Sequence, residues 1–528
     1  MSTRARLLLA LAALLFVWNT WGYDLWAPDE PYFAEGAREM LVDGHWAVPH
    51  VNGLVTPDKP PLFFWLIALL SLPLGHISSF TARTPSAAAA VVSIALTMRL
   101  GRRLAGERAG DLAGLVLMTT YMFWDKARTA QIDSLLCCLV LVALSAFESL
   151  RSGAERPLLT GIVLWGACAL AVIAKGPVGV IVPAGIGAAT LAMDGALRTW
   201  RRYVPAAGPA VFAGIVSAWA IAATLGGDGE YSVWGAFKQH ALDRAIFGMH
   251  HVQPPWYFLE VMPFQLFPWT LLLPAALYDL SRRRSAESRF LLAWVAFPFL
   301  FFSAVTEKRE LYLLPLCPAV AILVARFLTS LPSERWSRNA VRVTCGVIAA
   351  VGAALPFAVL GRPVVPMAVA TALAVGLVLT GLAAAWRSSR AGLLPSVRAL
   401  ATGTLLVYLL VAAEALPSLQ GIKSVEPFAA RFKELTAATR KRGDPVLAFR
   451  IGNLSDAIAF FTDGVYVRDA TLFDLELHLG RPDPTFALAD AGELSHVRPD
   501  IRERLTIVES ATFGPTRLVL VTNGRPAM

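Results

Sequence analysis

The apolar run LLLALAALLFVW (residues 7–18), followed closely by APDEPYFAEGAREM (residues 27–40), decides how the rest of the chain is interpreted. The first segment follows the basic start MSTRAR, and no small-residue cleavage site comes after it. It therefore predicts an uncleaved first membrane span with a cytoplasmic N-terminus. The second segment places five charged side chains just beyond that span. Because charge at a membrane boundary is costly unless it is paired or functional, this segment marks a candidate site.

The composition is that of a membrane protein. Of the 528 residues, 56% are hydrophobic and 16% are charged, and the mean hydropathy is +0.56. A soluble chain usually carries a larger charged fraction. The net charge of +9 does not indicate nucleic-acid binding, because the arginines stand in short clusters between apolar runs, where they act as orientation signals. The sequence predicts an α-helical polytopic membrane protein.

An apolar window of about 20 residues finds fourteen candidate spans. They lie near residues 7–23, 60–76, 80–98, 108–125, 133–150, 157–173, 176–193, 204–224, 259–280, 289–305, 312–330, 341–360, 363–385 and 396–416. Prolines interrupt the segment 60–76, and a full crossing there would place the basic loops outside, against the positive-inside rule. We expect this segment to lie in or dip into the outer interface, which leaves about thirteen spans in the cytoplasmic (inner) membrane.

The composition changes after Pro417. Residues 1–417 are predicted to form the transmembrane domain, with outer catalytic loops at 24–79 and 225–258. Residues 418–528 contain the strand-like runs PVLAFRI and TRLVLVTN and the helical run VEPFAARFKELTAATRKRG, which predict a small C-terminal α/β domain on the outer side. The five cysteines all lie in predicted spans, so no disulfide framework is expected.

Four segments in a fixed order carry a family resemblance. They are the first span, the stretch APDEPYFAEGAREMLVDGHWAVPHVNGLVTPDKPPLFFWL, Asp133 in ARTAQIDSLL, and the later TEKRELYLLPLCPA. In this order they resemble the polyprenyl-phosphate-sugar glycosyltransferases of the GT-C class, which include the bacterial lipid A aminoarabinose transferase and the protein mannosyltransferase-like family. The resemblance covers the membrane region and extends into the outer α/β domain.

The resemblance implies inverting transfer of a sugar from a polyprenyl (undecaprenyl) monophosphate carrier to lipid A, another envelope glycan or a protein on the outer face of the membrane. Displacing a lipid phosphate from an anomeric carbon needs cations that hold the phosphate. A hydroxyl acceptor also needs a carboxylate that takes its proton. If the acceptor is itself a phosphate, that carboxylate would instead orient or stabilise the sugar. Membrane lipids are further expected partners.

The family's motifs assign roles to individual residues. Asp29 matches the catalytic carboxylate, with Glu30 beside it and Asp133 as a second carboxylate of the site. The side chains implied at the donor phosphate are Lys59, Arg244 and Tyr312. Lys175, which precedes Gly176 and Pro177, is either a boundary residue or a further phosphate contact, and Lys308 and Arg309 are further candidates.

Structural interpretations of the same residues stay open. The carboxylates of Asp29, Glu30 and Asp133 each stand where an acidic side chain favours a helix start. Lys59 is able to snorkel from the apolar segment that follows it, and Tyr312 suits a membrane interface without any further role.

The motif contains charged residues to which no role is assigned, and it departs from the family pattern at other positions. Glu35, Arg38 and Glu39 have helical spacing and are predicted to form a solvated face with local ion pairs and no catalytic role. The family usually continues x-R-Y-A-E after D-E, whereas this sequence has Tyr32 and Phe33 in place of the Arg and the Tyr. Asp58 likewise stands where the family often has Glu. The donor sugar is therefore left open.

No cofactor and no catalytic metal are expected, because the acidic pair is adjacent and does not form a D-x-D motif, and lysine and arginine can meet the charge of a monophosphate. His240, His250 and His251 have no recognisable ligand spacing and are expected to be solvated. Two other classes of function remain open. A flippase of polyprenyl-linked sugars would carry polar groups near the midplane and repeated halves, and a non-catalytic scaffold would use the outer domain to bind a partner.

Overall fold

The computed structural model describes residues 2–56, 59–227, 232–238, 251–330, 334–360 and 364–524. The helices, numbered in chain order, are α1 Thr3–Val17, α2 Asp29–Val42, α3 Leu62–Ser71, α4 Ser79–Ala105, α5 Glu107–Met118, α6 Tyr121–Ala127, α7 Asp133–Arg151, α8 Pro157–Lys175, α9 Val178–Met193, α10 Ala207–Gly226, α11 Val233–Phe237, α12 Tyr257–Gln265, α13 Leu273–Arg282, α14 Ala286–Ala304, α15 Cys317–Ser330, α16 Glu334–Leu360, α17 Met367–Arg390, α18 Leu393–Leu410, α19 Leu416–Ser418, α20 Gln420–Lys423, α21 Glu426–Leu435, α22 Ala437–Lys441, α23 Leu454–Phe461, α24 Leu472–Leu479 and α25 Pro499–Arg502.

Shorter helical turns and seven strands complete the secondary structure of the described residues. The 3₁₀ turns are Leu72–Leu74, Leu197–Tyr203, Thr270–Leu272, Glu310–Leu316 and Glu493–His496, and a π-helical turn covers Val411–Ala415. The strands are β1 His50–Val51, β2 Leu54–Val55, β3 Leu447–Phe449, β4 Arg468–Asp469, β5 Phe486–Asp490, β6 Thr506–Phe513 and β7 Thr516–Thr522.

Contacts within the chain define two compact units. The membrane unit comprises Met1–Thr20, Pro57–Phe63 and Arg83–Ala415. The sheet unit comprises Trp21–Thr56, Phe64–Ala82 and Leu416–Met528. The division predicted between residues 417 and 418 stays a prediction.

Within the described residues, nine helices are long and apolar enough to cross a membrane, and a pair bent by 116°, Tyr257–Gln265 with Thr270–Arg282, would make a tenth. Each of the fourteen predicted windows overlaps one or two helices. The segment 60–76 holds the ten-residue helix α3, which is too short to cross a bilayer. The protein is a multi-pass membrane protein, and the count of about thirteen spans stays a prediction.

Among the nine candidate spans of the described residues, the most deeply packed is Glu310–Ser330, which consists of a 3₁₀ turn followed by α15. Buried residues make up 89% of its most apolar window, against 11% for α10. Apolarity alone does not separate a central from a peripheral span, because both kinds are hydrophobic all round. The five cysteines are buried free thiols, which agrees with the sequence-based expectation.

Two buried arginines fix the end of α1 in the membrane unit. Arg128 donates hydrogen bonds to the carbonyls of Leu15 and Trp18, both at 2.7 Å, and Arg83 donates to the carbonyl of Thr20 at 2.7 Å. The last carbonyls of a helix have no partner within it. The two guanidinium groups satisfy carbonyls there and in the following turn, and so fix how the chain leaves the first span.

The C-terminal sheet has the strand order β4-β3-β5-β7-β6. Strand β3 is parallel to β4 and β5, whereas β7 is antiparallel to β5 and β6. Alternate side chains of β3, such as Ala448 on one face and Leu447 on the other, enter two separate hydrophobic cores. Helices α21 and α23 cover one face and α24 covers the other. The predicted α/β domain is confirmed, since the two strand-like runs contain β3 and β7 and the helical run contains α21 and α22.

The segment that follows the first span also belongs to the sheet unit. The hairpin of β1 and β2 turns at Asn52 and Gly53, whose φ angles are 57° and 73°, as a two-residue hairpin turn requires. The Asn52 side chain donates to the Val467 carbonyl at 2.7 Å and accepts from the Val467 amide at 3.0 Å. On α2, a Cβ at Gly36 would lie 2.5 Å from the Phe64 ring, so only glycine allows this close approach.

The prediction that Glu35, Arg38 and Glu39 form a solvated face was wrong for the two glutamates. Glu35 is 0% exposed and Glu39 is 1% exposed. The expected local ion pair is present, with Arg38 Nη2 2.7 Å from Glu35 Oε1, and Glu39 Oε1 accepts the Gly53 amide at 3.0 Å. The two glutamates are buried because α23 packs on α2. The Tyr466 hydroxyl also accepts a hydrogen bond from Arg38 at 3.2 Å.

Replacing Glu39 by glutamine is expected to reduce the pH dependence of folding stability. Burial, with a smaller contribution from the Glu35 charge, raises the pKa of Glu39 from its ordinary 4.5 to about 8. The folded protein therefore keeps a proton that the unfolded chain releases at lower pH. The resulting stabilisation is complete below about pH 4.5 and is lost as the pH rises through about 8. Glutamine keeps an acceptor for the Gly53 amide and has no proton to lose.

Thermal unfolding of the full-length protein in detergent measures this effect. We expect the wild type to lose roughly 1 to 3 kcal/mol of stability through this group between mildly acidic and mildly alkaline pH, and E39Q to lose much less. Glu434 is an exposed glutamate of the same unit, paired with Arg431, and Glu434→Gln is the control that should follow the wild type. An E39Q protein with the wild-type slope would assign the pH dependence to other groups.

Candidate active site

Asp29 and Glu30 are the first two residues of α2, and Pro28 occupies the N-cap position. Two carboxylates in a first turn are favoured by the positive end of the helix dipole. Glu30 is 4% exposed, and its Oε2 accepts the Trp26 amide at 3.0 Å, which closes the loop ahead of the helix. Asp29 is partly exposed. Within the sheet unit, Glu30 thus shapes the loop that presents Asp29.

In the membrane unit, Asp133 and Lys175 come together although they are far apart in sequence. Asp133 is the first residue of α7 and Lys175 is the last residue of α8, whose C-cap, Gly176, has a φ of 75°. The ammonium group of Lys175 forms an ion pair with Asp133 Oδ1, and the two side chains are 16% and 6% exposed. Such a buried pair is fixed in place, because separating the charges would leave each poorly solvated.

Three further residues, Lys59, Arg309 and Tyr312, form together with Asp133 and Lys175 what we call the cation cluster. Lys175 Nζ lies 5.2 Å from the centroid of the Tyr312 ring. The charges of Lys59 and Arg309 also act on the Lys175 ammonium. Three cations and one carboxylate give the cluster an excess of positive charge, which suits a phosphate ligand. The structure therefore brings five of the predicted site residues together, including Arg309, which the sequence marked as a further candidate.

A second ion pair beside this cluster was missed at the sequence level. Lys126 Nζ lies 2.9 Å from Asp125 Oδ2, and the charges of Glu310 and Asp133 act on Lys126. The signal was present in the sequence, because Asp125 and Lys126 stand shortly before Asp133 at the same end of the predicted spans. These residues extend the charged region around Asp133.

Other predicted residues lie elsewhere. Four of those singled out from the sequence fall outside the described residues: Asp58, Arg244, His240 and His250. Lys308 is 3% exposed, and its ammonium donates to the carbonyls of Gln253, at 2.8 Å, and Val305. It therefore links the backbone at these two positions. Within the described ranges, no group of three His, Cys, Asp or Glu side chains is arranged to hold a metal ion. The expectation of no catalytic metal stays a prediction.

Two family models match consecutive parts of the chain. The family described as dolichyl-phosphate-mannose-protein mannosyltransferase matches residues 58–221. The Alg9-like mannosyltransferase family matches residues 243–376. Lys59, Asp133 and Lys175 lie in the first matched region and Tyr312 lies in the second.

Several curated proteins named undecaprenyl phosphate-alpha-4-amino-4-deoxy-L-arabinose arabinosyl transferase are similar in sequence. The one from Edwardsiella ictaluri is 31% identical over 336 residues, which are 62% of this chain and 60% of that protein. The one from Pectobacterium carotovorum is 30% identical over 368 residues, or 67% of this chain and 64% of that protein. The chain matches about three fifths of the length of these relatives.

Solved structures share the fold over most of the chain. ArnT from Cupriavidus metallidurans bound to undecaprenyl phosphate has a TM-score of 0.78 at 21% identity, covering 98% of each chain. The oligosaccharyltransferase AglB from Archaeoglobus fulgidus has a TM-score of 0.53 at 12% identity, covering 93% of this chain and 69% of that one. The chain therefore has the GT-C fold, and in sequence it resembles the polyprenyl-phosphate-sugar glycosyltransferases of the arabinosyl transferase and mannosyltransferase families.

Proposed function

We propose that this protein is an integral membrane glycosyltransferase. It moves a sugar from a polyprenyl (undecaprenyl) monophosphate carrier to lipid A, another envelope glycan or a protein at the outer face of the cytoplasmic membrane. The observation that carries the proposal is the cation cluster at one end of α7 and α8. A solved protein with the same fold is described as bound to undecaprenyl phosphate, and we assign a lipid phosphate as the ligand of this cluster.

The charge of the cluster suits the chemistry of the leaving group. A sugar linked to a lipid phosphate carries one negative charge, and the departing phosphate gains a second as the bond to the anomeric carbon breaks. Lys59, Lys175 and Arg309 would therefore interact more strongly with the transition state than with the bound donor. Only interactions that strengthen in this way accelerate the chemical step.

The proposed reaction is a single inverting displacement. The acceptor hydroxyl oxygen attacks the anomeric carbon opposite the phosphate, the carbon–oxygen bond to the phosphate breaks, and the acceptor proton passes to the Asp29 carboxylate. Glu30 holds the loop that presents Asp29. For a phosphate acceptor, which already carries a negative charge, Asp29 would instead orient or stabilise the positively charged sugar. Lys59 and Arg244, with Lys175 and Tyr312, hold the donor phosphate, and Asp133 positions Lys175.

We propose that the N-terminus is cytoplasmic and that Asp29, the cation cluster and the C-terminal α/β domain face the outside. The helices α7 and α8 support this orientation. The basic segment RLGRRLAGER covers the end of α4 and the start of α5, and RSGAER covers the end of α7 and the loop to α8. Both lie away from Asp133 and Lys175. Basic loops favour the cytoplasmic side, so the cation cluster belongs on the outer side.

Lys59→Ala is expected to weaken binding of the lipid-phosphate donor by roughly 10- to 100-fold, because a hydrogen bond to a charged group contributes about 1.5–3 kcal/mol. Photocross-linking of the full-length protein to a polyprenyl-phosphate probe measures the effect. Lys59→Arg keeps the charge and should retain most of the binding. Lys433→Ala removes a half-exposed lysine of the sheet unit, which is paired with Asp463, and is the matched control.

The same experiment separates the alternative functions. A scaffold would show no saturable labelling of the wild type, which would contradict the proposal. A flippase would bind the probe and release the sugar-linked lipid with its phosphate–sugar bond intact. A transferase breaks that bond, so analysis of the products formed when the membranes are incubated with the sugar-linked lipid distinguishes the two.

A further inference from the structure

A groove of about 430 Å³ lies at the opposite end of α7 and α8 from the cation cluster. Its walls are the last turns of α4 and α7 and the first turns of α8. Its apolar wall includes Leu96, Val142 and Val163, and its polar rim includes Arg99, Arg103 and Ser149. This volume is within the range of small-molecule binding sites.

The rim carries positive charge, part of which is held at the groove by a hydrogen bond. Arg99 and Arg103 stand four residues apart and therefore share one face of α4. Arg103 Nη1 donates to the Ser149 hydroxyl at 2.8 Å. The charge of the adjacent Arg102, by contrast, is offset by an ion pair with Asp111 at 2.6 Å.

Two like charges at this spacing repel each other. Among the described residues that line the groove there is no carboxylate to offset them. The Ser149 hydroxyl is neutral, so it orients Arg103 without cancelling its charge. The rim therefore complements an anion.

The groove also has the depth and exposure of a lipid site. Leu96 and Arg103 are separated by about 10 Å along the helix axis, which is the distance from a headgroup to the upper part of its acyl chains. Leu159 and Val163 on α8 are 52% and 43% exposed, so the apolar wall opens to the side, where the membrane lies. A ligand that fits has an anionic head and an apolar chain.

We propose that this groove binds an anionic glycerophospholipid of the bilayer, with its phosphate between Arg99 and Arg103 and an acyl chain along Leu96, Val142 and Val163. Basic pockets between membrane helices are suited to such headgroups. The 19 residues of α7 separate this end from Asp133 by about 28 Å. The groove is therefore a second lipid site, and its assignment does not depend on the transfer reaction.

Native mass spectrometry of the full-length protein, titrated with single lipids in detergent, tests the assignment. We expect the wild type to bind phosphatidylglycerol at least about 10-fold more tightly than phosphatidylethanolamine, because the ammonium group of phosphatidylethanolamine cancels the charge of its phosphate and is repelled by the two arginines. R99Q/R103Q should lose this preference. Arg398→Gln replaces an exposed arginine of α18 and should match the wild type. R99K/R103K, which keeps both charges, should retain most of the preference and controls for folding.

A second variant tests the apolar wall without touching the arginines. Val163→Trp narrows the groove at an exposed position and should weaken phosphatidylglycerol binding by several fold. Equal binding of the anionic and the zwitterionic lipid by the wild type would overturn the assignment, and so would an R99Q/R103Q protein with wild-type preference. If polyprenyl phosphate displaced phosphatidylglycerol in the wild type and in Lys59→Ala alike, the groove would belong to the carrier lipid, which also contradicts the proposal.

Discussion

Replacing Asp29 by asparagine is expected to reduce glycosyl transfer by roughly 10²- to 10⁴-fold, the usual contribution of a general base. Asparagine has the same shape as aspartate but cannot take the acceptor proton. The loss of a carboxylate from the first turn of α2 costs only about 0.3–1 kcal/mol of stability. The D29N protein should therefore fold and bind the lipid-phosphate probe as the wild type does. The measurement is the initial rate of product formation by membranes that contain equal amounts of each protein.

Asp43→Asn is the matched control for this substitution. Asp43 caps the other end of the same helix, is exposed, and accepts a hydrogen bond from the Tyr466 hydroxyl at 3.2 Å. The D43N protein should transfer sugar at about the wild-type rate. A D29N protein that also turns over normally would reduce Asp29 to a helix start and remove both proposed roles, as proton acceptor and as stabiliser of the sugar.

Lys175→Ala is expected to destabilise the protein and to weaken donor binding. The substitution leaves the Asp133 carboxylate, which is 6% exposed, without its cation. Breaking one side of a buried ion pair costs about 3–5 kcal/mol. Loss of a cation from the phosphate site should weaken binding by about 10-fold or more. Thermal unfolding in detergent and photocross-linking to the polyprenyl-phosphate probe measure the two effects separately.

The double variant Asp133→Asn with Lys175→Gln distinguishes packing from ligand binding. Its two amides are neutral and are able to hydrogen bond to each other, so most of the lost stability should return. Donor binding should stay weak, because no cation is restored. If the double variant recovered both stability and binding, Lys175 would have a structural role alone.

Much of the fold could be predicted because hydropathy reports the length and apolarity of a segment. It does not report bends or depth, so the pair Tyr257–Gln265 with Thr270–Arg282 was expected as a single span. In the C-terminal domain, β3 and β7 were recognised by their apolar residues. Strand β6, TIVESATF, is half-exposed and mixed in polarity, and gave no comparable signal.

The site was predictable residue by residue but not in its pairings. Asp133 and Lys175 each marked the boundary of a span, and only the packing of α7 against α8 shows that they form an ion pair. The burial of Glu35 and Glu39 depends on α23, which lies more than four hundred residues later in the chain. The burial of Arg128 could not be predicted, because an arginine in a short polar loop is expected to be solvated.

The most direct test of the proposed glycosyl transfer is mass spectrometry of lipid A, other envelope glycans and glycoproteins from cells that lack this protein and from the same cells complemented with the wild type. Glycosyl transfer predicts that one glycosyl mass disappears from one class of acceptor, that the sugar-linked polyprenyl phosphate accumulates, and that the wild-type protein reverses both changes. Glycan masses that are identical in all strains would contradict the transferase assignment.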